Sequence, residues 1–201
     1  MEWIDTPVLD GQYVRLEPLS PRHLTLVETI ALEEQTWKYM ANPILDRKDL
    51  ETWAKQGWEQ QEAHTMMPWV TFAKFPDGSE IIAGGTRFLD INLKDSSVEI
   101  GNSWITPPLR GTKVNAEAKY LQLKFAFETF GCRRVAFKAH GSNLRSHAAI
   151  KALGAKYEGT FRDHMLMPDG SFRDTAWFSI LKSEWPEVKS GLERRLAAPL
   201  P

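Results

Sequence analysis

The chain has 201 residues, 42% of them hydrophobic, and its 25 basic and 26 acidic residues leave a formal net charge of -1. This length suits one domain with a sizeable core, and without a basic stripe a nucleic-acid-binding surface is not expected. The single cysteine, Cys132, excludes an intrachain disulfide and a cysteine-rich zinc site and suits a reducing compartment. No stretch reaches the roughly 18 apolar residues that cross a bilayer, and the N-terminus lacks signal-peptide features. We therefore expect a cytoplasmic protein that binds neither nucleic acid nor a membrane.

The first half of the chain carries turn and cap signals that divide it into strands and helices. Ser20 followed by Pro21 is typical of a helix start, because the hydroxyl caps the helix and proline suits its first position. Asp46 is a second capping residue. The tetrapeptide Pro76-Asp77-Gly78-Ser79 is a strong hairpin signal. The predicted elements of this half are a strand at 13–19, a helix from 20 to about 39, a helix from 46 to about 62, and strands at 69–75 and 81–89.

The second half continues the alternation of strands and helices. Its longest helix ends at Gly131, Asp169-Gly170 marks a second hairpin, and Ser183 is the expected cap of the terminal helix. The order predicts one domain over residues 1–201, with a mixed sheet and helices on both faces, a structured core at about 9–190 and a disordered tail at 197–201. The predicted elements are a strand at 98–105, a helix at 115–130, a strand at 133–139, a helix at 143–153, strands at 155–167 and 172–181, and a helix from 183 to about 196.

The connection between the strand at 98–105 and the helix that follows predicts an anion site. The strand ends at Pro107-Pro108, and a short loop containing Arg110 leads directly into the helix. A helix that begins in this way presents free backbone N–H groups and the positive end of its dipole at one point, which suits a phosphate. Arg110 and Lys113 place two positive charges beside it. The alternative is an ordinary strand–helix connection with charged surface residues.

Several catalytic and metal-binding signatures are absent from the sequence. It contains no G-x-x-x-x-G-K-[ST], G-x-G-x-x-G, H-E-x-x-H or G-x-S-x-G motif. The histidines show no metal-ligand spacing, so we expect no metal.

Glu99 and the segment that begins at Asn143 are the remaining candidates for chemistry. Glu99 is the lone acid in an otherwise apolar strand, and a carboxylate held partly out of water has a pKa raised towards the range of a general base. The alternative places Glu99 at the solvated start of the strand, paired with a lysine. Asn143 and Ser146 open the helix after the next strand, where the alternative makes Asn143 a helix cap and Ser146 a first-turn residue.

Taken together, these segments resemble the GNAT superfamily of acyl-CoA-dependent N-acetyltransferases, and most closely its branch of RimJ/RimL-type ribosomal-protein N-terminal acetyltransferases. The resemblance covers nearly the whole chain, from Leu9 to Lys189, and the set of motifs in this order is a strong signal. The motifs that carry it are Glu99-Ile100-Gly101, Arg110-Gly111-Thr112-Lys113-Val114-Asn115-Ala116-Glu117-Ala118, Asn143-Leu144-Arg145-Ser146, and Leu153-Gly154-Ala155 with Glu158-Gly159.

The resemblance implies both a fold and a reaction. The implied fold is α/β (α+β), a mixed, mostly antiparallel twisted sheet of about seven strands with helices on both faces, split by a V-shaped cleft. The implied activity is direct transfer of an acetyl group from acetyl-CoA to a primary amine in a ternary complex, without a covalent acyl-enzyme. The acceptor is a protein N-terminus or a small amine, such as an amino acid or an antibiotic, and the sequence does not separate the two.

The resemblance also implies roles for individual residues. Glu99 matches the general base, and Ser146 matches a residue that protonates the departing thiolate. A backbone N–H of Trp104 or Ile105 is expected to polarise the thioester carbonyl. The implied cofactor-binding residues are Trp104, Ile105, Arg110, Gly111, Thr112, Lys113, Val114, Asn115, Asn143 and Ser146.

The phosphate-binding loop departs from the family pattern Arg/Gln-x-x-Gly-x-Gly/Ala at two positions. Lys113 stands where glycine is usual, and Asn115 stands where glycine or alanine is usual. The Cβ of Lys113 limits how closely the backbone approaches a ligand, although its ammonium could add charge to the phosphates. We interpret the loop as a working variant. The competing hypothesis is a catalytically silent CoA-binding or sensing module with the same fold.

The acceptor end of the site is implied to lie between the first two helices and the second hairpin. Trp37 and Tyr39 are the pocket candidates there. His164, in the second hairpin, is either a substrate-side base or a surface histidine, and we favour the surface histidine. We also expect a homodimer or a monomer–dimer equilibrium, because the hairpin and the tryptophan-rich helices are predicted to expose apolar surface.

Overall fold

The structure, a computed structural model, describes residues 1–199 and contains one open sheet with helices on both faces. The strands are β1 (Leu9–Asp10), β2 (Val14–Pro18), β3 (Met67–Lys74), β4 (Glu80–Asn92), β5 (Ser97–Ile105), β6 (Arg134–His140), β7 (Lys156–Leu166) and β8 (Phe172–Leu181). The helices are α1 (Leu24–Ala31), α2 (Glu34–Trp37), α3 (Arg47–Glu62), α4 (Lys113–Lys124), α5 (Leu144–Lys151) and α6 (Trp185–Ala197). The predicted mixed α/β fold is confirmed. The strand beyond the expected seven is β1, which is too short to give a periodic signal.

The strands lie in the order β1-β2-β3-β4-β5-β6-β8-β7, and the pairing of β5 with β6 is parallel whereas the others are antiparallel. These two strands pair only from Ser97 opposite Arg134 to Glu99 opposite Ala136. Beyond Glu99, β5 continues to Ile105 paired with β4, and none of the described strands pairs with its other edge. The sheet is therefore open between β5 and β6 beyond Glu99, at the end of β5 from which the chain continues into α4.

Each face of the sheet has its own apolar core. On one face α4, α5 and α6 pack over the sheet, and Leu123 and Leu192 belong to that core. On the other face α1, α2 and α3 bury a second core that contains Leu50, Trp53 and Trp104. Among residues 1–199, this second core takes no member from β6, β7 or β8. The helices of that face therefore leave the β6–β8–β7 end open.

The single helix predicted from residue 20 to about 39 is wrong, because the chain forms α1 and α2 with a break between them. The indole N–H of Trp37 donates to the carbonyl of Ala31, 2.7 Å away, at the end of α1. Helix ends leave such carbonyls without a partner, so this bond stabilises the break. A continuous helix would place Trp37 more than a turn and a half beyond Ala31, out of reach of that carbonyl.

The predicted cap of the terminal helix is also corrected. Glu184, not Ser183, precedes the first residue of α6, and its carboxylate accepts a hydrogen bond from the Leu181 N–H at 2.9 Å. The helix includes Ala197, where the tail was expected to begin, and residues 200–201 lie outside the described part of the chain. Within residues 1–199, no helix is both long and apolar enough to span a membrane.

Candidate active site

A β-bulge lies on β5 where this strand separates from β6. Gly101 pairs with Arg87 and Trp104 pairs with Gly85, so β5 has one more residue than β4 between these pairs. Asn102, inside the bulge, has a φ of 47°, in the left-handed region. Bulges bend a strand and change where its groups point. This one turns the second half of β5 along the opening in the sheet.

The backbone of Ile105 faces the opening. Thr106 donates its N–H to the Ala83 carbonyl at 2.8 Å, so the groups at Thr106 point to β4. Backbone groups of successive strand residues point to opposite sides, and the groups of Ile105 therefore point away from β4. In agreement, the Ile105 carbonyl accepts a hydrogen bond from Arg110 Nε at 2.9 Å. Of the two predicted oxyanion donors, Ile105 is the one oriented towards the opening.

Glu99 is a buried carboxylate at the last paired position of β5 and β6. Its Oε2 lies 2.6 Å from Lys138 Nζ, and the same ammonium lies 3.0 Å from Asp90 Oδ2. Burial raises the pKa of Glu99 to about 7, although the charge of Lys138 opposes the shift. Glu99 therefore pairs with a lysine, as the alternative interpretation held, but inside the protein and not at a solvated strand end. A carboxylate with this pKa can accept a proton near neutral pH.

A row of polar side chains continues from Glu99 across the open end of this face. Lys138 lies 4.3 Å from the ring centre of Trp177. His140 makes an edge-to-face contact with Tyr39, with ring centres 5.3 Å apart. Arg173 donates to the Tyr39 carbonyl at 2.9 Å. The predicted pocket residue Tyr39 therefore lies beside the face that carries Glu99.

His164 of β7 lies on the face of the β7–β8 hairpin that also carries Thr175 and Trp177. Its Nδ1 is 3.1 Å from Thr175 Oγ1, and its ring contacts those of Phe161 and Trp177 edge to face. The side chain is exposed. This placement is that of a surface histidine at the border of the open face.

The first turn of α4 begins from the loop as the sequence predicts. Thr112 Oγ1 accepts the Val114 N–H at 3.3 Å and donates to the Leu109 carbonyl at 2.7 Å. Gly111, with a φ of 81°, has no atom near the position of a Cβ, so its backbone conformation and not crowding favours glycine there. The cap uses one of the free N–H groups of the turn. The others remain directed along the helix axis towards the opening.

The ammonium of Lys113 points away from this turn. It donates to the Leu196 carbonyl at 2.7 Å and to the Tyr13 hydroxyl at 3.1 Å, and lies 4.7 Å from the Tyr13 ring centre. The side chain therefore connects α4 to the end of α6. The backbone N–H of Lys113, rather than its charge, is what this residue presents at the helix start.

Arg110 is a half-buried arginine near the opening. Arg110 binds the Ile105 carbonyl and donates to Thr36 Oγ1 at 2.9 Å. Burial lowers the pKa of Arg110, and the positive charge of Arg145, at the start of α5, lowers it further. Both interactions of Arg110 are with uncharged oxygens. An anion beside Arg110 would offset the positive charge of Arg145, as the negative charge of Glu33 does in part.

Asn143 and Ser146 occupy the start of α5. The Asn143 side chain accepts the Ser146 N–H at 3.1 Å, so Asn143 is the helix cap and Ser146 a first-turn residue. Neither position prevents a role for the Ser146 hydroxyl, which is half-buried.

The side chains of Trp104 and Trp37, two residues that the sequence analysis placed in the site, are buried. Their ring centres lie 5.2 Å apart, and both rings pack in the second core.

A buried lysine lies beneath the bulge. Lys119 of α4 donates to Thr86 Oγ1 at 2.8 Å, to Ser103 Oγ at 2.7 Å and to Gln122 Oε1 at 2.8 Å. These bonds connect β4, β5 and α4 at the bulge. Burial lowers the pKa of Lys119 to about 7, since the three acceptors carry no charge to compensate it.

The sequence matches the Acetyltransferase (GNAT) domain family over residues 14–156. The chain belongs to the GNAT acetyltransferase family. No curated protein matches it as a relative. Within residues 1–199 no group of three or more histidine, cysteine or carboxylate side chains is placed to hold a metal ion.

Solved structures support the same GNAT fold. A protein from T. thermophilus assigned as an acetyltransferase is 31% identical, with a TM-score of 0.85, covering 97% of this chain and 100% of its own. A GCN5-related N-acetyltransferase from Brucella melitensis is 29% identical, with a TM-score of 0.86 and coverages of 96% and 87%. Mycobacterium smegmatis RimJ, solved with CoA-disulfide, is 20% identical, with a TM-score of 0.76 and coverages of 90% and 88%. At that identity the likeness to RimJ shows the fold alone.

The sequence does not identify three polar residues that the structure places on the face that carries Glu99 or under the bulge. Lys138 lies between the core residues Phe137 and Ala139 of β6. This alternation of apolar and polar residues is a signal that the side chain of Lys138 points to the face opposite theirs. Arg173 gives no such signal, because its position depends on the hairpin register. Lys119 lies on a helix whose apolar residues surround it, and this pattern predicts burial without showing what the ammonium binds.

Proposed function

We propose that this chain is an acetyl-CoA-dependent N-acetyltransferase that moves an acetyl group to a primary amine by direct transfer in a ternary complex. The observation that carries the proposal is Glu99, a buried carboxylate with a pKa of about 7 at the point where β5 and β6 separate. A base there can take a proton from an amine that enters the opening. The membership of the GNAT family supplies the reaction class.

The chain offers a set of groups that fits the thioester donor. The free N–H groups at the start of α4 and the positive charges of Arg110 and Arg145 suit a pyrophosphate. The unpaired edge of β5 beyond Glu99 suits an extended amide-containing arm, and the Ile105 N–H is directed to where a thioester carbonyl would lie. When bound, the donor supplies the acetyl group and a thiolate leaving group.

The protons of the reaction are assigned to two side chains. Glu99 accepts a proton from the ammonium form of the acceptor, which leaves a lone pair to form the new C–N bond as the C–S bond breaks. Ser146, in the first turn of α5, donates its hydroxyl proton to the departing thiolate and regains a proton from water. Cys132 is buried, and burial raises its pKa to about 12, so it has no part as a nucleophile.

The proposal is tested by release of CoA thiol from acetyl-CoA in the presence of a panel of amines and peptide N-termini, with acetylated products identified by mass spectrometry. We expect acceptor-dependent release and an N-acetylated product. Binding of CoA without release for any acceptor would support the silent binding module instead. The proposed acceptors are a protein N-terminus or a small primary amine.

We also propose that the chain forms a homodimer through the β7–β8 hairpin. β7 is an edge strand, and three large apolar side chains at the two ends of the hairpin are exposed: Tyr157, Leu166 and Phe172. A second copy could cover both the unpaired strand edge and these side chains. The tryptophan-rich helices do not add to this surface, because Trp37 and Trp53 are buried.

A further inference from the structure

Arg173 is a half-buried cation whose hydrogen bonds use only part of its guanidinium. Its Nε donates to Thr175 Oγ1 at 3.2 Å and one terminal nitrogen donates to the Tyr39 carbonyl at 2.9 Å. A guanidinium has five N–H groups in a planar fork, so three remain for another partner. The two bonds fix the orientation of the fork, which reduces the entropy lost when a planar anion binds it.

Within the described chain, no carboxylate forms an ion pair with Arg173. Its sequence neighbour Asp174 points to the other side of β8, where its carboxylate accepts the Asp163 N–H at 2.9 Å. Burial lowers the pKa of His140, whose ring contacts Tyr39; the positive charge of Arg173 lowers it further and the negative charge of Asp174 raises it. Burial lowers the pKa of Arg173, and the negative charge of Glu99 opposes this shift.

Charge is therefore distributed unevenly along the open face that carries Glu99. The Glu99 end holds two carboxylates, Glu99 and Asp90, around one ammonium, that of Lys138. The other end holds Arg173, which forms no ion pair with a carboxylate of residues 1–199. An acceptor with an amine at one end and an anion at the other complements this arrangement.

We propose that Arg173 selects acceptors that carry an anionic group, above all a carboxylate, close to the amine that is acetylated. This inference rests on the proposed function, since it takes Glu99 as the end that receives the amine. Arg173 would bind the carboxylate through its free N–H groups, while Tyr39 and Thr175 hold the guanidinium in place. The carboxylate can belong to a free amino acid or to an acidic side chain near a peptide N-terminus, because the two present the same chemistry.

The experiment compares matched acceptors in which a carboxylate is replaced by a neutral amide. For free amino acids the pairs are serine and serine amide, alanine and alanine amide, and methionine and methionine amide. For peptides the pair is the amides of alanyl-aspartate and alanyl-asparagine. Each is tested in wild type, Arg173→Gln, Arg173→Lys and Arg162→Gln, the last being an exposed arginine of β7 that serves as the matched control. The readouts are kcat/KM for thiol release and, independently of turnover, calorimetric binding of the N-acetylated acids and amides in the presence of CoA.

In wild type and in Arg162→Gln, we expect the anionic member of at least one pair to be favoured by about tenfold to a hundredfold, the usual value of a charge-assisted pair. Arg173→Gln should bring that ratio close to one, and Arg173→Lys should keep part of it. A structural loss alone would lower both members of a pair equally. Equal treatment of both members by wild type in both readouts, or a preference that survives Arg173→Gln, would overturn the inference.

Failure of the inference and failure of the proposed function give different results. Turnover of amides and acids alike would overturn the role of Arg173 and leave the acetyltransferase proposal standing. Selective binding of the acids that is lost in Arg173→Gln, without thiol release for any acceptor, would support the role of Arg173 and contradict the proposed reaction. Preference confined to the free acids or to the aspartyl peptide identifies the source of the carboxylate.

Discussion

At the scale of single residues, the site depends on charged groups that the protein holds out of water. Glu99 and Lys119 both have pKa values of about 7, shifted in opposite directions from their ordinary values by the same cause, burial. Glu99 lies on the face open to the acceptor, whereas Lys119 lies under the bulge on the α4 side. The first is therefore available for proton transfer. The second stabilises the strand whose backbone we propose binds the thioester.

Lys119 should give the protein a distinct dependence of stability on pH. Its pKa is about 7 in the folded protein and ~10.4 in an unfolded chain, so between these values the unfolded state binds more protons and stability rises with pH. The contribution of one such group is at most about 1.4 kcal/mol per pH unit. We expect Lys119→Met to remove this rise, as measured by urea unfolding at pH 7, 8.5 and 10.

The matched control for this measurement is Lys124→Met, an exposed lysine of the same helix. It should unfold with the pH dependence of wild type. If Lys119→Met kept the wild-type dependence of stability on pH, the pKa of Lys119 would not be lowered by burial as its position beneath the bulge implies.

At the scale of elements, the loop before α4 carries groups that we propose hold the donor. Arg110 is anchored to Ile105 and Thr36, and burial together with the positive charge of Arg145 lowers its pKa. We expect Arg110→Ala to weaken CoA binding by about 1–3 kcal/mol, because a charge-assisted phosphate contact is lost. Isothermal titration calorimetry measures this change directly. The control is Arg133→Ala, which removes an exposed arginine directly before β6 and should bind CoA as wild type does. Equal affinities of the two variants for CoA would argue against a phosphate contact at Arg110.

Elements with strong local signals could be predicted from the sequence. Asp46 caps α3 as expected, with its side chain accepting the Asp49 N–H, and the hairpin around Asp77-Gly78 joins β3 to β4. The break between α1 and α2 could not be predicted, because it depends on Trp37 reaching back to Ala31 and packing on Trp104, a residue distant in sequence. Tertiary packing of this kind overrides local helix propensity.

The candidate site shows the same division. Glu99 can be identified from the sequence because a lone acid in an apolar strand is a local signal, and its burial agrees with that interpretation. Arg173 cannot be identified in this way, because its relation to Tyr39 and Glu99 arises only when β8 pairs with β6 and α2 packs nearby. The turn of Lys113 towards Leu196 likewise requires the position of α6, which no local pattern contains.

At the scale of the whole molecule, the proposed dimer can be tested through the exposed hairpin. We expect light scattering at micromolar concentration to give about twice the 23.0 kDa mass of one chain, or a concentration-dependent mixture. Phe172→Glu should shift the protein towards monomer by placing a charge on the hairpin. Leu45→Glu, at an exposed apolar position outside the hairpin, should not. A single 23.0 kDa species at all concentrations would exclude this dimer.

The most direct test of the whole account is the pH dependence of kcat/KM for Glu99→Gln, compared with wild type and with Glu62→Gln, an exposed glutamate of α3. Wild type and the control should gain activity as pH rises through about 7, because Glu99 must lose its proton before it can accept one from the amine. Glu99→Gln should be about 10²–10⁴-fold slower and lack this step, while its affinity for acetyl-CoA stays nearly unchanged. A near-normal rate with the same pH step in Glu99→Gln would contradict the account.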